Sequence, residues 1–228
     1  MVDRRRSPLQ ELRRLGNRVR SRGFPEVARL ALQRVRENVR SDETLIFYRR
    51  LAEPLENPPS EAKGRLATPG DAGRYALDVG TDSPVTFQDR LSEEVMCYVV
   101  EEGGRLLHAS WVTTSVAWTR ELRGYLSPPQ GDAYVYESFT RADARGRGLY
   151  PLALAGILTE MASRDIRWVW VAVEGSNEPS QRALAKASFE PAFSLDYRRR
   201  MGRLHIQPPA GPQAAAAADF LKGVRAGG

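Results

Sequence analysis

Three features of the sequence predict an α+β fold, a mixed central sheet flanked by helices with a helical arm in front of it. From about Gly64 onward, strand-like and helix-like segments alternate. Glu94–Val100 and Arg105–Thr113 are β-rich runs joined by Glu101-Glu102-Gly103-Gly104, which predicts a hairpin. Arg167–Val173 (RWVWVAV) is a nearly continuous apolar run of β-formers, as expected of a buried central strand.

The elements follow in order. Over Ser7–Arg22 the residues Leu9, Leu12, Leu15 and Val19 recur at spacings of three and four, one face of a helix ringed by arginines. Gly23-Phe24-Pro25 interrupts it, and Pro25 opens a second helix carrying Val27, Ala31, Val35 and Val39. Together these form a basic amphipathic arm over residues 1–43. Thr44–Leu51 reads as a strand leading into a Pro-rich linker that ends at residue 63. Arg65–Ala67 is a short strand, and Asp71–Val79 and Phe87–Leu91 are short helices. Ala133–Thr140 (AYVYESFT) is a strand, and Leu149–Ala162 a helix with Leu154, Ile157, Leu158 and Met161 on one side. A short helix over Pro179–Ala187 precedes strands at Pro191–Leu195 and Tyr197–Ile206. Residues 207–228, rich in Pro, Ala and Gly, read as a flexible tail.

Composition narrows the function. The 228 residues carry a net charge of +6, yet the first 50 hold 14 Arg against six acids and the remainder is slightly acidic. The positive charge is therefore a property of the arm, and nothing in the body calls for nucleic acid. One cysteine, Cys97, excludes an internal disulfide framework, and with two histidines, His108 and His205, no metal site is expected. No apolar run reaches the ~18 residues of a spanning helix, and the first 30 residues lack a signal-peptide core. A cytoplasmic location is expected.

The stretch Arg145-Gly146-Arg147-Gly148-Leu149-Tyr150 lies between a strong strand and a strong helix. Such a loop is either a tight turn or a phosphate cradle, in which backbone amides and the helix dipole meet anionic oxygens. Arg145 and Arg147 would add charge. A dinucleotide fingerprint fails at Pro151, and the Gly-Lys-Ser/Thr of a P-loop is absent.

These residues resemble the general N-acetyltransferase (GNAT) superfamily. Its acyl-CoA motif is Arg/Gln-x-x-Gly-x-Gly/Ala between a fourth strand and a third helix. Here Arg145 and Gly148 match, and Tyr150 stands at the final small position. A second motif runs from Asn to Gly-Phe; here Asn177 is followed twelve residues later by Phe189, with Ser188 in place of the glycine. The resemblance covers roughly residues 64–206 and implies a mostly antiparallel sheet and acetyl-CoA as acyl donor. It further implies that the backbone of Ser138, Phe139 and Thr140 pairs with the pantetheine arm. The amides of Gly146, Arg147, Gly148, Leu149 and Tyr150 would hold the pyrophosphate, and Asn177 and Ser180 would border the cofactor. Asn177 is equally placed to cap its helix.

Attack by an amine on a thioester calls for a base, and an acid to meet the thiolate. Glu137 is the expected base, among apolar neighbours that would raise its pKa; otherwise it faces solvent or pairs with an arginine. The family's tyrosine acid is replaced by Leu184, leaving Tyr150, Tyr134 or Tyr136, or a thiolate that departs unaided; Tyr134 and Tyr136 are expected to share one face of their strand as packing residues. The implied activity is acetyl transfer to a small amine or amino sugar; an inactive CoA-binding or protein-interaction module is the alternative. The arm, over residues 7–40, would pack on the body or contact an anionic membrane or a protein partner. The acceptor is not encoded, nor is the oligomeric state, for which a homodimer is one arrangement.

Overall fold

The computed structural model describes residues 40–54, 62–200, 203–207 and 209–222. The predicted helices of the arm therefore lie outside the described residues. The described chain builds one eight-stranded sheet. Its strands are β1 (Arg40–Leu51), β2 (Lys63–Leu66), β3 (Val95–Glu102), β4 (Arg105–Thr113), β7 (Ala133–Thr140), β8 (Trp168–Glu174), β9 (Glu190–Arg200) and β10 (Arg203–Gln207). A separate small hairpin joins β5 (Ala117–Thr119) to β6 (Gly124–Leu126). Across the sheet the order is β10-β9-β1-β8-β7-β4-β3-β2. Every neighbouring pair is antiparallel except β7 and β8. The sheet is thus mixed and mostly antiparallel, as expected.

Helices cover both faces. On one lie α1 (Ala72–Asp78) and α2 (Pro84–Arg90), over Cys97, Val99, Ala109 and Trp111, all fully buried. On the other lies α3 (Leu149–Ala162), whose Leu154, Ile157, Leu158 and Met161 face the sheet as the spacing predicts, together with α4 (Glu178–Lys186). Gly156 brings α3 close to β3: a Cβ there would stand 1.8 Å from the Tyr98 hydroxyl. Cys97 is a small buried hydrophobe, as expected of a lone cysteine in a strand.

The body does not begin at residue 64. β1 lies inside the sheet, pairing with β8 over Leu45–Leu51 and with β9 over Arg40–Arg49. Its residues explain why. Leu45 and Phe47 point to one face and Ile46 and Tyr48 to the other, so both faces are apolar and only an interior position buries both. Nor does the body end at 206. The alanine run forms α5 (Ala214–Leu221), and its Phe220 is fully buried against Phe47, Trp170, Phe193 and Tyr134. Alanine is the best helix former, and one aromatic anchor suffices to dock the segment. The strand expected to break at Asp196 is continuous through Arg200. Pro191 is accommodated where β9 shifts register against β1, a bulge that spares a ladder hydrogen bond.

Candidate active site

The geometry of the site starts with an interruption in β7. Ala109 pairs with Phe139 and Trp111 with Tyr136, so Glu137 and Ser138 together oppose Ser110 on β4. The extra residue puts Glu137 at φ +49°. Such a bulge bends the strand and increases its twist. On its other edge, β7 pairs with β8 only over Ala133–Val135 against Val169–Val171. Beyond those residues the two parallel strands separate. Where the ladder between them stops, an extended chain could lie along β7 in the slot this leaves between the two strands.

The glycine loop lies at the end of β7, directly before α3. Counted from β2, β7 is the fourth strand of the main sheet and α3 the third helix, the position the motif occupies in the family it resembles. Gly146 and Gly148 have φ of +80° and +75°, a backbone glycine adopts without strain. The first α3 bond runs from the Leu152 amide to the Gly148 carbonyl, and the amides of Gly148, Leu149 and Tyr150 have no protein acceptor among the described residues. They form a cradle for anionic oxygens at the positive end of a 14-residue helix. Arg145 is exposed beside it, whereas Arg147 is engaged by Glu102 at 2.5 Å.

On the α2 side of the bulge, Arg90 is the central charge. Its Nη1 donates to Asp82 (2.5 Å) and to Glu137 (2.8 Å), and its guanidinium lies 3.8 Å over the Trp111 ring. Glu137 is therefore not set among apolar neighbours. Its side chain is 48% exposed and paired with an arginine, because the bulge turns it out of the strand's alternation. Tyr134 and Tyr136 stack at an interplanar angle of 10° on this same face, the neighbours their spacing predicted.

On the α3 side, His108 is buried between Thr140 (Nδ1 to Oγ1, 2.7 Å) and Ser110 (Nε2 to Oγ, 2.8 Å). Ser110 in turn reaches Ser138 at 2.7 Å, and Ser138 neighbours Tyr150, whose ring stacks on the imidazole. Burial holds the imidazole down to about 3 and pushes the Tyr150 phenol up to about 12. The expected residues Ser138, Thr140 and Tyr150 are thus brought together, while Phe139 turns toward the α1–α2 side.

Further along, the Asn177 side chain caps α4, accepting from the Ser180 amide at 3.3 Å. Leu184, at the family's tyrosine position, is fully buried and offers no acid. Ser188 has φ +54°, so the glycine expected there is a conformational requirement. Ser188→Gly is expected to raise stability by about 1 kcal/mol in chemical denaturation. Two groups escaped the sequence reading. One is Arg90. The other is Glu174 at the end of β8, which accepts from the Tyr197 hydroxyl at 2.8 Å and is held above the ordinary carboxylate range by burial. The signal that could have found Glu174 is a carboxylate closing an otherwise apolar strand.

No protein-family model matches the sequence, and no curated protein matches it. Among solved structures, a GCN5-related N-acetyltransferase from Sphaerobacter thermophilus is similar over 80% of this chain with a TM-score of 0.51 and 15% identity. The chain has the GNAT fold. An acetyltransferase from the GNAT family of Colwellia psychrerythraea is also similar, over 87% of this chain and 74% of its own length (15% identity, TM-score 0.48). This chain spans 58% of the Sphaerobacter protein, less than two thirds of it. At such identity the likeness is one of fold. Among the described residues, no helix is long and apolar enough to cross a membrane, and no cluster of ligands could hold a metal.

Proposed function

We propose that the protein is an acyl-CoA-dependent N-acyltransferase that moves an acetyl group from acetyl-CoA to the amine of a small molecule or amino sugar by direct attack. One observation carries this reading: the slot between β7 and β8 leads from the bulge at Glu137–Ser138 to the amide cradle before α3. Those parts fit an extended arm ending in a pyrophosphate. The backbone of Ser138–Thr140 pairs with the pantetheine amides, the amides of residues 146–150 take the pyrophosphate with Arg145 alongside, and Asn177 and Ser180 border the slot from α4. Acetyl-CoA supplies an acyl carbonyl activated by a thiol leaving group. Glu137, beside the slot, takes the proton of the attacking amine directly or through water. Tyr150 faces the departing sulfur as acid.

Acetyl-CoA at 100-fold its Kd is expected to stabilise the fold by about 2.7 kcal/mol, a rise in Tm of about 5–10 °C. Glu137→Gln should lower kcat by about 10²-fold or more while leaving that thermal shift in place. Turnover unchanged in this variant and lost in Glu174→Gln would move the base to Glu174, which burial favours as a proton acceptor. A thermal shift without turnover across an amine panel would support a CoA-binding module instead.

A further inference from the structure

His108 takes no part in the mechanism above, yet it is the most deeply buried ionisable group on the α3 side of the sheet and each of its ring nitrogens has a partner. Held neutral at pH 7, it carries one N–H and one lone pair, so the two nitrogens play opposite roles. Ser110 is fully buried, and His108 and Ser138 are its side-chain partners among the described residues. The direction of one bond therefore fixes the next. When Nε2 carries the proton it donates to Ser110, Ser110 donates to Ser138, and Ser138 donates to the Tyr150 oxygen. The Tyr150 proton is then left for the slot. When Nδ1 carries the proton, Nε2 accepts from Ser110, Ser110 accepts from Ser138, and Ser138 consumes the Tyr150 proton. Only the first polarity presents an acid.

We propose that His108, as its Nε2–H tautomer, is a positioning residue that acts through Ser110 and Ser138 to aim the Tyr150 hydroxyl at the departing sulfur. The proposal rests on the acyltransferase reading and deepens it. As the amine nitrogen bonds to the acyl carbon and the carbon–sulfur bond breaks, sulfur leaves with the electron pair and takes the Tyr150 proton. The proton shed by the amine goes to Glu137 and on to water. The phenolate left on Tyr150 accepts from Ser138, and water returns its proton after the thiol departs. Ser110, Ser138 and His108 change neither charge nor protonation in this sequence, so the buried imidazole never has to ionise. Thr140, on the far side, receives no proton from the ring in this state and serves as donor to Nδ1. Three residues from two strands and one from a helix thus form a single polarised chain that ends at the slot.

Two measurements test this. Imidazole ¹⁵N shifts of the free protein, and of the protein with acetyl-CoA added, should report a protonated Nε2 and an unprotonated Nδ1 on His108; a protonated Nδ1 in both would overturn the proposal. In kinetics with a turnover-competent amine, Tyr150→Phe should lower kcat by about 10²-fold with KM for acetyl-CoA unchanged. Ser110→Ala should produce most of that loss with Tyr150 intact, and the double variant should be no slower than Tyr150→Phe alone. Ser138→Ala, at an exposed position, breaks the same chain and stands in if Ser110→Ala does not fold. Additive losses, or wild-type kcat in the serine variants, would overturn the relay while leaving the acyltransferase reading intact. A wild-type protein that turns over no amine would overturn both.

Discussion

Arg90→Ala is expected to cost about 3 kcal/mol of unfolding free energy, among the largest single-residue losses available in the body. The guanidinium bonds Asp82 and Glu137 through one nitrogen and sits 3.8 Å over Trp111, with Tyr136 5.6 Å away. The Asp82 side chain is only 6% exposed. Removing the arginine takes a cation from a buried carboxylate and opens a gap beside Trp111. Arg90→Lys should recover only part of the stability, since an ammonium cannot bridge two carboxylates and stack on an indole at once. Urea denaturation of a double-mutant cycle with Asp82→Asn checks the cause. The cost of Arg90→Ala should shrink by at least half in that background. An unchanged cost would place the loss in the ring contact alone.

Stability should also fall as the pH drops from about 6.5 toward 3, and His108 sets that slope. Its folded pKa is held down to about 3 by burial, against about 6.5 in an unfolded chain. Between those values the unfolded state binds a proton that the folded state refuses, so each pH unit costs about 1.4 kcal/mol and the total between pH 7 and pH 5 is about 2 kcal/mol. Asp71 and Glu101 act lower down. Hydrogen bonds from Arg65, with help from Arg74, hold both below the usual carboxylate range, so the stability they contribute is present above about pH 4 and is lost as the pH falls further. Glu174 and Asp132, raised by burial, act in the opposite sense. The clean measurement is therefore a difference: in Leu, Gln or Asn variants at 108 that fold, the slope between pH 6.5 and 5 should flatten relative to the wild type. A parallel slope in such a variant would assign the acid sensitivity elsewhere.

Local features were legible wherever a residue's own spacing decided the outcome. The period of Leu154, Ile157, Leu158 and Met161 placed the buried side of α3, and the alternation of Tyr134 and Tyr136 placed both rings on one face. The glycine loop was legible because φ near +80° leaves so few alternatives. What escaped was set by pairing partners far away in sequence. Glu137 reads as part of an alternating strand, and only the register against β4 reveals that two residues there oppose one. Arg90 is unremarkable among 34 basic residues until α2 lays it on Trp111. His108 reads as one more polar residue in a hairpin, since its partner Thr140 stands 32 residues away and its other partner, Ser110, draws its own role from Ser138 on the next strand. The alanine tail was misjudged for a related reason. Its composition resembles a linker, and the single Phe220 that docks it finds its aromatic pocket on four strands, β1, β7, β8 and β9.

The position of β1 also bears on how the chain is made. β1 carries apolar side chains on both faces, yet its partner β8 follows more than 110 residues later and β9 later still. At a synthesis rate of about 5–20 residues per second, that strand waits roughly 6–25 s before anything exists for it to pair with. Strands β2, β3, β4 and β7 can assemble meanwhile, each on a neighbour already made. The last strands cannot, because β9 docks on β1 and β10 on β9. Among the described strands, the earliest to leave the ribosome is thus the keystone of the latest part of the sheet, and whatever shields Leu45–Tyr48 during that interval governs how much chain reaches the folded state.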